Sequence, residues 1–293
     1  DNGADALYAG VTNLSMRPKR VEFKEASLKS LVKLVHQRGK ELYVTLNVCP
    51  KPDDVELYKR KLADVYAAGV DAVIVSDLGM IAYIKETYPD LPIHVSIMTS
   101  VVNKEAADFY KQQGAAVVVV SRSLSNIEEI REIAQNVNVD IELFIHGGIC
   151  YMFDGNCYMS SYWRQLWEFD PDLGKERLKG QNNTKGECQL ICKRHCSLVK
   201  DEQNIISGRL LRRPDDVGLY RLPEYIKMGV KIFKIEGRAM PLKYVVEATR
   251  LYREAIDTYF ANPEKYKIKT DWLPVVDQLI EHRLEYERTW HIS

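Results

Sequence analysis

Ala116-Val-Val-Val-Val120, then Ile127-Glu-Glu-Ile130-Arg-Glu-Ile133, then Ile141-Glu-Leu-Phe-Ile145, reads as a strand, a helix and a second strand. The outer runs are short and apolar. The middle one repeats its isoleucines every third residue, the spacing of a helix face laid on a core. A run as apolar as Val117 to Val120 must be buried on both faces, which is the condition of a parallel strand covered by helical crossovers. The same alternation continues in both directions. Strands are predicted at Ala6 to Ala9, Leu42 to Asn47, Ala72 to Ser76, Ile93 to Ile97 and Ile232 to Ile235, making seven with the two above. Helical patterns such as Leu28-Leu31-Val32-Val35 and Leu57-Leu62-Val65 lie between them, and Gly39, Gly69, Gly114 and Gly229 stand where helix C-caps are expected. Strict alternation without a reversal signal predicts an α/β fold of the (β/α)8 TIM-barrel kind, with a flavodoxin-like doubly wound sheet as the second choice.

A chain of 293 residues suits one such barrel. Lys plus Arg number 41 and Asp plus Glu number 41, so the overall field does not steer the protein toward nucleic acid, although a local basic patch is compatible with that balance. No apolar run approaches the roughly 18 residues of a membrane span, and a cytoplasmic location is expected. The alternation breaks between Tyr158 and Pro223. The expected organisation is therefore barrel over 1–157, an inserted cysteine-rich cap over 158–223, barrel again over 224–262, and a polar C-terminal extension over 263–293.

In a barrel, chemistry gathers where the loops leave the C-terminal ends of the strands. That rule selects Arg17, Asn47, Asp77, Thr99, Arg122, His146, Glu236 and Arg238. Asn47, Thr99 and Asp77 have a plain alternative as loop or helix caps. Arg122, Arg17 and Arg238 offer planar guanidinium groups suited to a carboxylate-bearing ligand. Glu236-Gly-Arg238 puts opposite charges directly after an apolar strand, and its plain alternative is an internal ion pair. Glu142 is expected to point into the barrel as a buried carboxylate with a raised pKa. His146 either orients a loop or moves protons.

Five of the six cysteines fall between Cys150 and Cys196. Three readings stay open on spacing alone. Disulfides fit poorly with a composition like that of an intracellular enzyme. Zinc, with His195 as an added ligand, usually draws on closer cysteine pairs than Cys150 and Cys157, which have six residues between them. Four thiolates from two separated loops suit an iron-sulfur cluster. Cys49 reads as an ordinary thiol.

Glu142-Leu-Phe-Ile-His146-Gly-Gly-Ile-Cys150 with Asp154-Gly155-Asn-Cys157-Tyr-Met-Ser160-Ser161-Tyr162 resembles the signature of peptidase family U32. Lys234-Ile-Glu236-Gly237-Arg238 with Tyr244-Val245 resembles that family's second hallmark, and Ala4-Asp-Ala-Leu-Tyr-Ala-Gly10 extends the likeness toward the start. Many members are oxygen-independent hydroxylases of tRNA uridine, rRNA cytidine or ubiquinone precursors. The resemblance implies a 4Fe-4S cluster on Cys150, Cys157, Cys188 and Cys192, a prephenate-like hydroxyl donor, and a related U32 subunit or tRNA as partner. With the balanced charge, a small aromatic acceptor of the ubiquinone-precursor kind stands beside tRNA uridine. Relatives carry one more strand and helix ahead of Gly3, so the first barrel unit is expected to be missing here. Cys196 is an extra thiol able to replace Cys188, and Met98 stands where many relatives have Gln. A peptidase and a non-catalytic subunit are the alternatives, but neither a His-Glu-x-x-His nor a Gly-x-Ser-x-Gly motif is present.

Overall fold

The computed structural model describes residues 1–16, 22–124, 126–159, 166–170, 175–179, 188, 191–238 and 240–288. Its centre is a curled parallel sheet in which the seven expected strands appear in sequence order: β1 (Ala6–Val11), β3 (Glu41–Leu46), β4 (Ala72–Val75), β5 (Ile93–Val95), β6 (Val117–Val119), β7 (Asp140–Gly148) and β13 (Ile232–Ile235). Each pairs in parallel with the next, and a two-residue β2 (Glu22–Phe23) adds to the far edge of β1. The core strands are apolar because both faces are covered. Val73, Val75, Val95, Val118 and Val119 are fully buried.

The covering helices are α1 (Glu25–His36), α2 (Pro52–Ala67), α3 (Leu78–Thr87), α4 (Lys104–Gln112) and α5 (Ile127–Asn136), then α6 (Leu222–Lys227), α7 (Leu242–Ala261) and α8 (Trp272–Arg288). Side chains fix their starts. Asp77 accepts from the Met80 amide at 2.9 Å, Asn103 from the Ala106 amide at 2.8 Å, and Asn126 with Glu129 forms a capping box on α5. No helix among the described residues is long and apolar enough to cross a membrane.

Among the described residues the ladder stays open between β13 and β1, and side chains cross that seam. The Tyr8 hydroxyl donates to the Ile235 carbonyl at 3.4 Å, and Lys234 Nζ lies 4.4 Å from the centre of the Tyr8 ring. Two antiparallel hairpins stand off the main sheet: β8 (Leu166–Asp170) with β9 (Lys175–Lys179), and β10 (Cys196–Lys200) with β11 (Gln203–Gly208). The stretch 158–223 is not all outside the barrel, since β12 (Asp215–Val217) returns antiparallel onto the end of β7. Residues 263–293, read from sequence as a polar extension, contain α8, whose Trp272, Val276 and Leu279 enter the common core. Those three and Arg283 fall at helical spacing, a stripe that the surrounding charges hide.

Candidate active site

At the C-terminal end of β7 the backbone passes through Gly147 and Gly148, and the side chains of three distant elements close on it. Glu236, just after β13, takes three donors on one carboxylate oxygen: the Gly148 amide at 2.9 Å, Arg283 at 3.0 Å and Arg122 at 3.2 Å. Gly147 has φ of +130°, and a Cβ there would stand 2.6 Å from Cβ of Glu236, so only glycine permits this approach. Arg122 follows β6. Its guanidinium lies 3.8 Å from the centre of the Phe144 ring and also donates to the Gly148 carbonyl. Its backbone amide is held by Asp154 at 3.2 Å, and Ser121 Oγ donates to the same Asp154 oxygen at 2.7 Å. Asp154 is buried, and its carbonyl accepts from Ser100. The loop between Cys150 and Cys157 is thus pinned to the ends of two strands. Gly155 tightens the pin: at φ of +82° it lies so close to the Met98 carbonyl that no side chain fits between them.

Arg283 comes from α8, which sequence reading left without a role. It pairs with Glu287 at 3.0 Å and Asp215 at 3.4 Å as well as with Glu236. Arg212 completes the web on Asp215 at 2.9 Å and Glu287 at 3.0 Å. Burial opposes the charge on Arg283, but Glu236 and the other anions outweigh it and hold its pKa above the usual arginine range.

The six cysteines are free thiols. Burial pushes the Cys150 thiol up strongly, with Asp154 and Cys188 adding to the effect. Burial and Cys188 raise Cys192, and Cys157 contributes further. Cys150, Cys157, Cys188 and Cys192 therefore lie within electrostatic reach of one another in a chain of neighbours. The Cys188 amide donates to the Met16 carbonyl at 2.9 Å, which ties the second cysteine group to the loop after β1. Cys196 opens β10 and is paired opposite Gly208 in the hairpin. In kind, four adjacent thiols fit a thiophilic iron cluster, because neighbouring thiolates repel until a shared cation offsets their charge. As placed, no three His, Cys, Asp or Glu side chains among the described residues are gathered closely enough to hold one metal ion.

The remaining candidates are spread more widely. Arg238 donates to Thr45 Oγ1 at 2.6 Å, while Glu236 pairs with Arg122 and Arg283. Asn47 is buried, accepting from the Met16 amide at 3.0 Å and donating to Ser96 at 3.2 Å. Thr99 donates to the Ser96 carbonyl at 2.8 Å. Both brace the rim, and Asp77 caps α3. His146 does not face the rim. A register irregularity, where Ile235 of β13 pairs with His146 and skips Ile145, turns it toward α7. There its Nδ1 lies 3.2 Å from the Tyr252 hydroxyl, and burial, Arg283 and Arg122 lower its pKa to about 4. Arg17 lies outside the described residues. Glu142 corrects an expectation: burial alone would raise its carboxyl, but Lys234 at 2.7 Å and His94 at 3.3 Å prevail and lower it to about 2. Cys49 keeps solvent access, but partial desolvation of its sulfur and the neighbouring Asp77 raise its thiol, as befits an unactivated group.

Four matches to known proteins place the chain among its relatives. The family model described as Peptidase family U32 matches residues 1–290. A tRNA hydroxylation protein P of Escherichia coli is 30% identical over 289 residues, covering 87% of this chain and 64% of the relative. An uncharacterized protease of Methanocaldococcus jannaschii is 34% identical over 268 residues, covering 88% and 61%. A 23S rRNA 5-hydroxycytidine synthase of Escherichia coli is 32% identical over 261 residues, covering 87% and 36%. The chain thus spans less than two thirds of the length of these relatives.

Proposed function

This chain belongs to peptidase family U32, and from that premise we propose that it hydroxylates an RNA nucleobase without molecular oxygen. The reading includes a 4Fe-4S cluster and a carboxylate-bearing hydroxyl donor of the prephenate kind, and it places the work in the cytoplasm. The observation that carries it is that Cys150, one of four neighbouring thiols, lies within electrostatic reach of Arg122, which pairs with Glu236. Cys150, Cys157, Cys188 and Cys192 would hold the cluster, which when bound supplies electron transfer. Arg122, its guanidinium over the Phe144 ring, presents donors to a carboxylate. Glu236 orients Arg122 and Arg283 and so fixes where that carboxylate lies. Asp154 joins the cysteine loop to the same rim, so donor and thiols keep one spacing.

Balanced charge favours a small aromatic acceptor, but two of the relatives are named for RNA hydroxylation, and we put the RNA base first. A cysteine peptidase finds less support. Its nucleophile would need a lowered thiol pKa and a histidine base, whereas the Cys150 thiol is raised and His146 faces Tyr252. The test is anaerobic purification with iron and sulfide analysis, followed by nucleoside profiling of total RNA after deletion of the gene. Four irons per chain and loss of one hydroxylated nucleoside are expected. Colourless protein with a single zinc, or unchanged nucleosides beside peptide hydrolysis, would overturn the proposal.

A further inference from the structure

Lys193 is a buried ammonium, 5% exposed, and its Nζ has no hydrogen-bond partner. Cys192 lies within its electrostatic reach, but a buried ammonium without a hydrogen-bond acceptor is costly unless something neutralises it. It is not alone. A Cβ placed on Gly148 would meet Lys193 Nζ at 2.7 Å and Arg283 Nη2 at 2.8 Å, so both cations converge on one point beside the backbone. Arg283 Nη1 and Arg122 Nε, also buried, lack partners as well. Around this point Arg122, Arg209, Arg212 and Arg283 meet Glu236, Asp215 and Glu287, and Asp216 also lies within electrostatic reach of Arg122. The buried donors left without partners are those of Lys193, Arg283 and Arg122, and the missing Cβ of Gly148 is what lets Lys193 Nζ and Arg283 Nη2 come together there.

We infer that Lys193, Arg283 and Arg122 form an oxyanion-binding site over Gly147-Gly148, and that its ligand is a free small molecule with one or more carboxylates. The burial of Lys193 and of Arg283, which is 2% exposed, shuts out the backbone phosphate of a polymer. The site joins three separate parts of the chain: Arg122 from the barrel, Lys193 from the cysteine-rich segment and Arg283 from α8. An anion bound there ties the cysteine-rich segment to the barrel. In sharing Arg122 the inference rests on the donor half of the proposed function, but its test reads binding and needs no turnover.

The experiment is isothermal titration and thermal unfolding of the full chain with malonate and, separately, inorganic phosphate, in preparations of equal iron content. Malonate is expected to bind and raise the midpoint of unfolding, with phosphate at least tenfold weaker. Lys193→Met should weaken malonate binding at least tenfold and raise the midpoint of the ligand-free protein, because it removes an unpaired buried charge. Lys193→Arg should keep binding. Absence of malonate binding in the unaltered protein overturns the site. So does a Lys193→Met protein that is destabilised yet binds malonate normally, since the lysine would then be only structural. Phosphate binding as tight as malonate, lost in Lys193→Met, overturns the carboxylate assignment. Failure of nucleoside profiling with intact malonate binding would count against RNA hydroxylation and leave the anion site standing.

Discussion

Glu142 is held between Lys234 on the seam strand and His94 on β5, wholly inside the barrel. Its carboxyl is lowered in the folded state to about 2 from an ordinary 4.5, so the unfolded chain takes up its proton first as the solution is acidified. The stability it contributes is complete above pH 4.5 and is lost as pH falls toward 2. Glu142→Gln should flatten urea-denaturation stability across that interval and, by leaving Lys234 buried without its anion, cost about 3–5 kcal/mol at neutral pH. Unchanged acid dependence in the variant would show that another group carries it. The cysteines divide more sharply. Alanine at Cys150, Cys157, Cys188 or Cys192 is expected to abolish iron retention. Alanine at Cys196 or Cys49 should spare it, because the first is drawn into the β10 hairpin and the second lies beside Asp77. Iron loss in Cys196→Ala with retention in Cys188→Ala would exchange their roles.

At the scale of elements, the strands were legible because burial on both faces leaves an unbroken apolar run, and the start of α3 because Asp77 is a cap residue by chemistry. The strand-end rule selected Arg122 and Glu236, the clustering of five thiols drew attention to the cysteine loop, and three ordered motifs carried the U32 likeness. What escaped had a physical reason. The irregularity that turns His146 toward Tyr252 is a matter of pairing with β13, which lies far along the chain. Three-residue β12 carries no periodicity to detect. Helix α8 looked polar because Trp272, Val276 and Leu279, with Val275 and Ile280 beside them, are set among many charged residues, yet it delivers Arg283 to Glu236. Leu279 is fully buried, so Leu279→Ala should cost about 2–5 kcal/mol. If α8 positions Arg283 as the structure indicates, the same variant should weaken malonate binding. A large loss of stability with unchanged binding would show that the anion site does not depend on the seating of the helix. Gly155→Ala acts on the other side of the rim. Its Cβ would strike the Met98 carbonyl, freeing the cysteine loop and lowering iron occupancy in analysis of the purified protein.

For the whole molecule the governing fact is a formal net charge of zero. An RNA-binding protein with an extended basic track gains much of its affinity from counterions released by neutralised phosphates, and loses it steeply as salt rises. Here the cations of the described rim are largely engaged with carboxylates. Arg212 is shared between Asp215 and Glu287, and Arg283 serves three anions. Few are left to meet a phosphate backbone. If an RNA base is the acceptor, recognition should therefore depend on the unpaired base and its immediate neighbours, with about two or three phosphates neutralised. The logarithm of affinity for a single-stranded RNA loop should then fall with the logarithm of salt concentration at a slope of about −1.5 to −2. Fluorescence anisotropy across a potassium chloride series measures it. A slope steeper than about −5 would mean that some seven or more phosphates are contacted, more than the described rim can serve, and would locate RNA binding on a basic surface outside it.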